Sequence, residues 1–344
     1  MSAEFAQDES RLLRVPPVLL AERDAGPAST AAELARLRVR PALRPGRWAA
    51  SAVAGLVLAG VVWSLVTNDR WQWDVVATYL TWPSVVEGAL TTVRLTVVSA
   101  LVGFALGTVL ALMRLSASPL LQAVSWAYTW VFRSVPVLLQ LLLWYNLAYL
   151  YPTLSLGIPF GPQFLWFDTV GLIDKFWAAI LGLGLSQAAY SAEIVRGGIL
   201  SVDQGQHEAA ASLGLPRRRQ WTRIVLPQAM RSVVPTAVNE VIGLLKGSSI
   251  VYVLAYNELF YVVSIIYGRN GSQVVPLLVV ASIWYLALTT LITVVQYYVE
   301  RHYARGALRT LPPTPLQRLR RGFAAWWRAA GAPGAPGAAR GAAR

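Results

Sequence analysis

The chain has 344 residues, of which 56% are hydrophobic and only 14% charged, with a formal net charge of +13 and no cysteine. A charged fraction so far below the roughly one quarter of soluble domains excludes a water-soluble globular fold. The missing cysteines exclude disulfides, thiolate nucleophiles and Cys-ligated metals, and two histidines, His207 and His302, are too few for a His-based metal site; no cofactor, metal or catalytic residue is expected.

Residues 1–47 are rich in Ala, Pro and Arg without a sustained apolar face and read as a mobile basic tail, with a short helix near Thr30–Arg38. Trp48–Val66 is uncharged and close to the 20 or so residues that cross a bilayer. Asn68–Val86 follows with Trp71, Trp73, Tyr79 and Trp82, a composition suited to the membrane–water interface. The second span, Gly88–Met113, holds Gly103-x-x-x-Gly107, a helix-packing pattern. A turn around Ser116–Pro119 leads to a third span, about Val124–Tyr149, in which Pro136 is tolerable if neighbours satisfy the carbonyl it frees.

Tyr151–Lys175 is a Pro-, Gly- and aromatic-rich loop, external or partly re-entrant, before a fourth span at Phe176–Val195. The fifth starts near Val233, carries Asn239, Glu240 and Lys246, and is interrupted at Gly247-Ser248-Ser249. Ile250–Ile266 continues it as a half-helix or external helix, and Val274–Val299 is the sixth span. The tail 301–344 is basic and of low complexity, with a Trp326-Trp327 pair suited to a membrane surface. The fold class is therefore an all-α polytopic membrane protein with about six transmembrane helices.

Charge placement orients it. Of the 30 Lys and Arg residues, 24 fall in the N-terminal tail, at Arg114, between Arg196 and Arg231, or after Val299. The opposite loops hold only Arg70, Lys175 and Arg269. This asymmetry puts both termini in the cytoplasm and accounts for the positive charge without nucleic acid.

The segment 203–227 is a polar loop between apolar spans. Asp203 and Gln206 have the spacing of a capping box, Glu208 is expected in the first helical turn, and Ala209–Leu213 favour helix. Gly214-Leu215-Pro216 reads as a left-handed stop, after which Arg217, Arg218, Arg219 and Arg223 begin a second, basic helix that Pro227 ends or kinks. Such a helix–turn–helix suits a groove on a partner; an ordinary basic loop is the plainer reading.

The placement of Glu208, Ala209, Ala210, Gly214, Ile224, Leu226 and Pro227 resembles the "EAA" loop of the membrane subunits of bacterial ABC importers. Four further blocks extend the likeness to the polar amino-acid branch, which serves histidine, glutamine, arginine and opines. They are Gly88–Thr96 with Met113–Ser116, Phe132–Pro136 with Gln140, Ala189–Gly198 with Gly205-Gln206, and Asn239-Glu240 with Leu245–Ser249. The resemblance implies a permease domain over 86–300 on which residues 48–66 are an extra N-terminal span. It also implies a bacterial inner (plasma) membrane location and alternating access for an amino acid. The implied partners are cytoplasmic ABC ATPase subunits gripping the loop, an extracytoplasmic amino-acid-binding protein, and a second permease subunit, the same or homologous. Many relatives have Asp-Thr-Ser where this chain has Gly247-Ser248-Ser249.

Charges inside spans are costly, so Arg133, Glu193 and Lys246 are candidates for the translocation path or gate. Arg133 and Glu193 fit either an internal ion pair between neighbouring spans or contact with substrate. Lys246, with Asn239, is expected deeper, on the path. No Walker sequence is present, since Gly243-Leu-Leu-Lys-Gly-Ser misplaces the lysine; ATP hydrolysis is expected on a separate chain. An ion-gradient-driven secondary transporter is the alternative, but it predicts two similar halves, which the sequence does not show. An intramembrane enzyme would need paired carboxylates or a Ser/His or His cluster in the spans, which are also missing.

Overall fold

In a computed structural model, residues 45–303 are described apart from 159, 160 and 270. The expected tail helix at Thr30–Arg38 and the Trp326-Trp327 pair lie outside the described residues. The chain divides into two compact units, residues 1–68 and 69–344. Within the first, α1 (Pro45–Thr67) is one apolar helix whose Ala49–Thr67 stretch is long enough to cross a bilayer.

The second unit begins with α2 (Trp73–Leu80), where Trp71 stacks on Trp73 and Tyr79 lies against Trp82. The helices α3 (Pro83–Arg114) and α8 (Lys175–Leu200) form its spine. They run parallel, and the Gly103-x-x-x-Gly107 pattern is their contact. A Cβ at Gly103 would meet Gln187 Cγ at 2.5 Å, and one at Gly107 would meet Ser191 Cβ at 2.6 Å. Close approach of two backbones gains dispersion where lipid leaves no hydrophobic drive.

The third span is not one helix. It is α4 (Pro119–Ser134) and α5 (Val137–Tyr145), bent by 101° at Val135-Pro136. Proline removes one donor, and the residue before it is pushed to extended backbone, here Val135 at φ −86°, ψ 127°. The buried Gln140 repairs the break: its Nε2 donates to Phe132 O at 3.0 Å and to Val135 O at 2.8 Å. Within α5, Leu141 packs on Gly182 of α8. The short α6 (Leu147–Leu150) leads into the loop expected to be external or partly re-entrant, which is built as an antiparallel hairpin. Its strands are β1 (Thr153–Gly157) and β2 (Gln163–Asp168), and α7 (Thr169–Leu172) returns to α8.

After α8 come α9 (Gln204–Ser212), α10 (Arg217–Gln220), a π-turn over Trp221–Val225, and α11 (Leu226–Gly247). Pro227 does not end a helix. It stands in the first turn of α11, where no intrahelical N–H is required, and the π-turn absorbs the mismatch. The expected interruption after Gly247 is a 3₁₀ stretch, Ser248–Leu254, followed by α12 (Leu259–Arg269) and α13 (Val274–Tyr303). Among the described residues, five helices are long and apolar enough to cross a membrane, and six if the bent α4–α5 pair is counted as one span. The all-α class follows the sequence; the hairpin and the bend do not.

Candidate functional site

The loop 203–227 is seated on a small buried cluster that it shares with the adjoining helices. Val202, Val225 and Ala229 are buried together with Ile199 against them, and Ala210 is buried from α9. Asp203 caps α9, accepting from Gly205 N at 2.7 Å, but Gln206 does not complete a capping box. Its Oε1 accepts from Gln228 Nε2 instead. Glu208 stands in the second turn of α9 rather than the first, because the helix starts at Gln204. Gly214 has φ +68°, the one positive-φ glycine among the described residues. Gly214 N donates to Ala211 O and Leu215 N to Ala210 O, which is a Schellman closure.

The seven residues of the loop pattern are not equivalent. Ala210 faces inward, Ile224 is half-buried, and Glu208, Ala209, Gly214, Leu226 and Pro227 are exposed. Beside them Leu213 is 78% exposed, an apolar side chain on a polar loop that spacing alone did not single out. Arg217, Arg218 and Arg219 are exposed along α10.

Arg133 and Glu193 are brought to one cavity of about 430 Å³, with Arg114, Trp130, Ser134 and Tyr190 among its lining. The expected ion pair between them is not formed. Glu193 Oε2 accepts from Arg196 NH2 at 2.7 Å, one turn along α8, and that is the shorter reach. Arg133 lies over the Tyr190 ring, 5.4 Å from its centroid, and is exposed. The cavity therefore presents a cationic side and an anionic side that do not neutralise each other directly.

Asn239 and Lys246 lie elsewhere, on an exposed stripe of α11 with Ser232, Thr236 and Gly243 at helical spacing. Glu240, next to Asn239, is half-buried on a different face. In the first half of α11, Val233 packs on Gly198. Lys246 is thirteen residues further along, about 20 Å at 1.5 Å per residue.

Glu258 was missed. It is fully buried and accepts from Phe260 N at 2.9 Å, Tyr261 N at 2.6 Å and Tyr285 OH at 3.2 Å, with Thr92 Oγ1 at 3.5 Å. Thr92 Oγ1 in turn accepts from Leu259 N. The carboxylate caps α12 and ties it to α3 and α13. Its only sequence signal is an acid immediately before an apolar helix.

Residues 103–305 match the family of binding-protein-dependent transport system inner membrane components. The chain belongs to that family. It is 38% identical over 301 residues to the arginine transport system permease protein ArgU of Corynebacterium glutamicum, covering 87% of this chain and 93% of that one. It is 36% identical to the arginine transport system permease protein ArtQ of Bacillus subtilis, over 64% of this chain and 92% of the relative. A crystal structure of an amino acid ABC transporter with histidines shares 31% identity at a TM-score of 0.55, covering 64% of this chain and 94% of that one. The inward-facing MetNI methionine transporter shares the fold at 21% identity and a TM-score of 0.53. The chain is thus a membrane-spanning permease component of the ABC importer type.

Proposed function

We propose that this chain forms the path for a polar or charged amino acid across a bacterial inner membrane, with both termini cytoplasmic. The observation that carries this reading is the loop 203–227, seated through Val225 on Val202 and Ala229, which offers Glu208, Ala209 and Leu213 outward from a chain without a phosphate-binding loop. A cytoplasmic ATPase docks there, and its closure on ATP reorients the spans. An extracytoplasmic binding protein delivers the amino acid, and a second permease, a copy or homologue, covers the polar stripe through Asn239 and Lys246, which lipid would not tolerate. The domain division follows: tail 1–47, an added span at 48–66, the permease body 86–300, and a tail 301–344.

The cavity shared by Arg133 and Glu193 supports a reading in which Arg133 meets the α-carboxylate of the amino acid and Glu193, beside its partner Arg196, meets an ammonium or a cationic side chain, with Lys246 further out along the path. Arg133→Met is expected to raise the concentration needed for half-maximal uptake about tenfold, the loss of one charge-assisted hydrogen bond. Uptake competition with cationic, amide and acidic amino acids, in cells lacking the native system, names the substrate class; unchanged competition by Arg133→Met excludes that residue from the site.

Gly214→Val tests the coupling role. Nothing lies within 4 Å of a Cβ at Gly214, so the whole cost is the left-handed backbone, about 1–2 kcal/mol. The variant is expected to insert at normal abundance, hold the ATPase loosely and transport poorly. Wild-type uptake at wild-type abundance would show that this loop does not couple the two machines.

A further inference from the structure

The β1–β2 hairpin is an exposed apolar feature that transport does not use. Its register pairs Leu154 with Phe167 and Leu156 with Leu165 on one face, and Ser155 with Trp166 on the other. Phe164 stands at the irregularity near Gly157. Leu156, Phe164 and Trp166 are each about 64–65% exposed, and Ile158 is exposed beyond β1. Across residues 151–168 the one charged side chain is Asp168, which caps α7 by accepting from Gly171 N at 2.8 Å. Two strands of this length are marginal alone in water, and no second layer covers either face.

Its attachment fixes its height. The apolar stretch Phe176–Val195 of α8 is about 30 Å long, the thickness of the hydrocarbon layer. Asp174 and Lys175 mark the outer end of that stretch. The two ends of the hairpin are closed on each other, Thr169 N donating to Pro152 O and Thr169 Oγ1 to Tyr151 O, and Thr169 and Val170 line one cavity with Asp174 and Lys175, which keeps the hairpin base beside that outer end. Exposed Tyr149, Leu150 and Tyr151 continue the apolar surface from the exposed Leu139, Leu143 and Tyr145 of α5 up to the strands. At the hairpin base a cavity of about 510 Å³ is walled by Trp144, Tyr145, Tyr149 and Val170.

We propose that this hairpin is a membrane anchor lying in the outer-leaflet interface, with lipid as its covering layer. Aromatic and aliphatic side chains without free charge are what the headgroup–acyl boundary takes. A reversible protein partner would be steered by charge, and the one charge on the strands, Asp168, is engaged in capping α7. Both strands are edges with unpaired backbone groups, which need water or headgroups, so the hairpin rests at the boundary, about 5–10 Å into the leaflet, and not in the hydrocarbon. The inference rests on the membrane reading and not on the substrate or the ATPase, so its failure would leave the transport reading intact.

Because the chain has no cysteine, Leu165→Cys and Trp166→Cys can each carry one environment-sensitive fluorophore, one on each face, in the full chain reconstituted in phosphatidylglycerol/phosphatidylethanolamine nanodiscs. Both labels should emit blue-shifted, and lipids with a nitroxide near the headgroup should quench them more than lipids with a nitroxide near the chain end. A reporter at Leu156→Cys should lose that shift when Phe164→Glu and Trp166→Glu are added, at unchanged yield of the folded chain. Water-like emission that neither lipid quenches would overturn the proposal. So would a blue shift that appears only when a binding protein is added, which would make the hairpin a protein-docking surface. Retention of the shift in the glutamate variant would overturn it as well.

Discussion

Two membrane helices in this chain are broken, and they are mended in different ways. At Val135-Pro136 the repair is local: Gln140, five residues on, returns its amide to the two carbonyls the break leaves open. Between Ser248 and Leu259 it is tertiary. Glu258 collects donors from the start of α12 and from α13, Thr92 of α3 joins it, and Lys175 Nζ donates to Ala255 O at 3.1 Å. A local repair lets a bend survive rearrangement of its neighbours. A tertiary repair makes the break a property of the packed bundle, so anything that separates α3, α12 and α13 must pay to expose a carboxylate and its donors.

The sharpest way to break the comparison is Glu258→Ala. It leaves two backbone N–H groups and the Tyr285 hydroxyl without their buried acceptor, a loss of about 3 kcal/mol. Thermal unfolding of the detergent-purified chain should show it, and Glu258→Gln should recover part of the loss, because one amide oxygen remains to accept. A Glu258→Ala chain as stable as wild type would remove the tertiary clamp. Gln140→Leu keeps the volume but strips both carbonyls of their donor, for about 2 kcal/mol. Its effect should stay confined to the bend, seen as faster hydrogen exchange over 132–140 with α12 unchanged. Spread of that exchange to α12 would show that the two breaks are not independent. The smallest effect belongs to Ala255, which holds φ +51°, a left-handed value that costs alanine about 1 kcal/mol. Ala255→Gly relieves that strain but frees the unfolded chain, so stability should rise by less than about 1 kcal/mol. A fall in the unfolding midpoint would mean that the joint needs the methyl group.

The same contrast explains what the sequence could disclose. Pro136 and Gln140 announce a disturbance at one place, yet Val124–Tyr149 reads as one span, and the 101° bend was hidden because hydropathy has no direction. Gly214 was legible because a left-handed stop is set by neighbours a few residues away. Glu258 was not, since its partners Thr92 and Tyr285 lie far off in the chain and a lone acid before an apolar stretch has many readings. Arg133 and Glu193 were rightly expected in neighbouring elements, but not the preference of Glu193 for Arg196, where helical spacing offers a cation one turn away. The hairpin carried the weakest signal, because Pro, Gly and aromatic residues serve a loop and a lipid-seated ribbon equally well.

The buried contacts beneath the loop 203–227 have a mechanical meaning. Val202 follows α8, Ala210 sits on α9, Val225 closes the π-turn and Ala229 belongs to α11, and all four are buried. Close-packed interiors are stiff, so a force applied to α9 is not absorbed by the loop; it is delivered to the roots of two spans at once, as a crank pin drives two rods. A stroke delivered there meets α8 and α11 where Gly198 receives the Val233 side chain, a joint that a methyl group at 198 would jam.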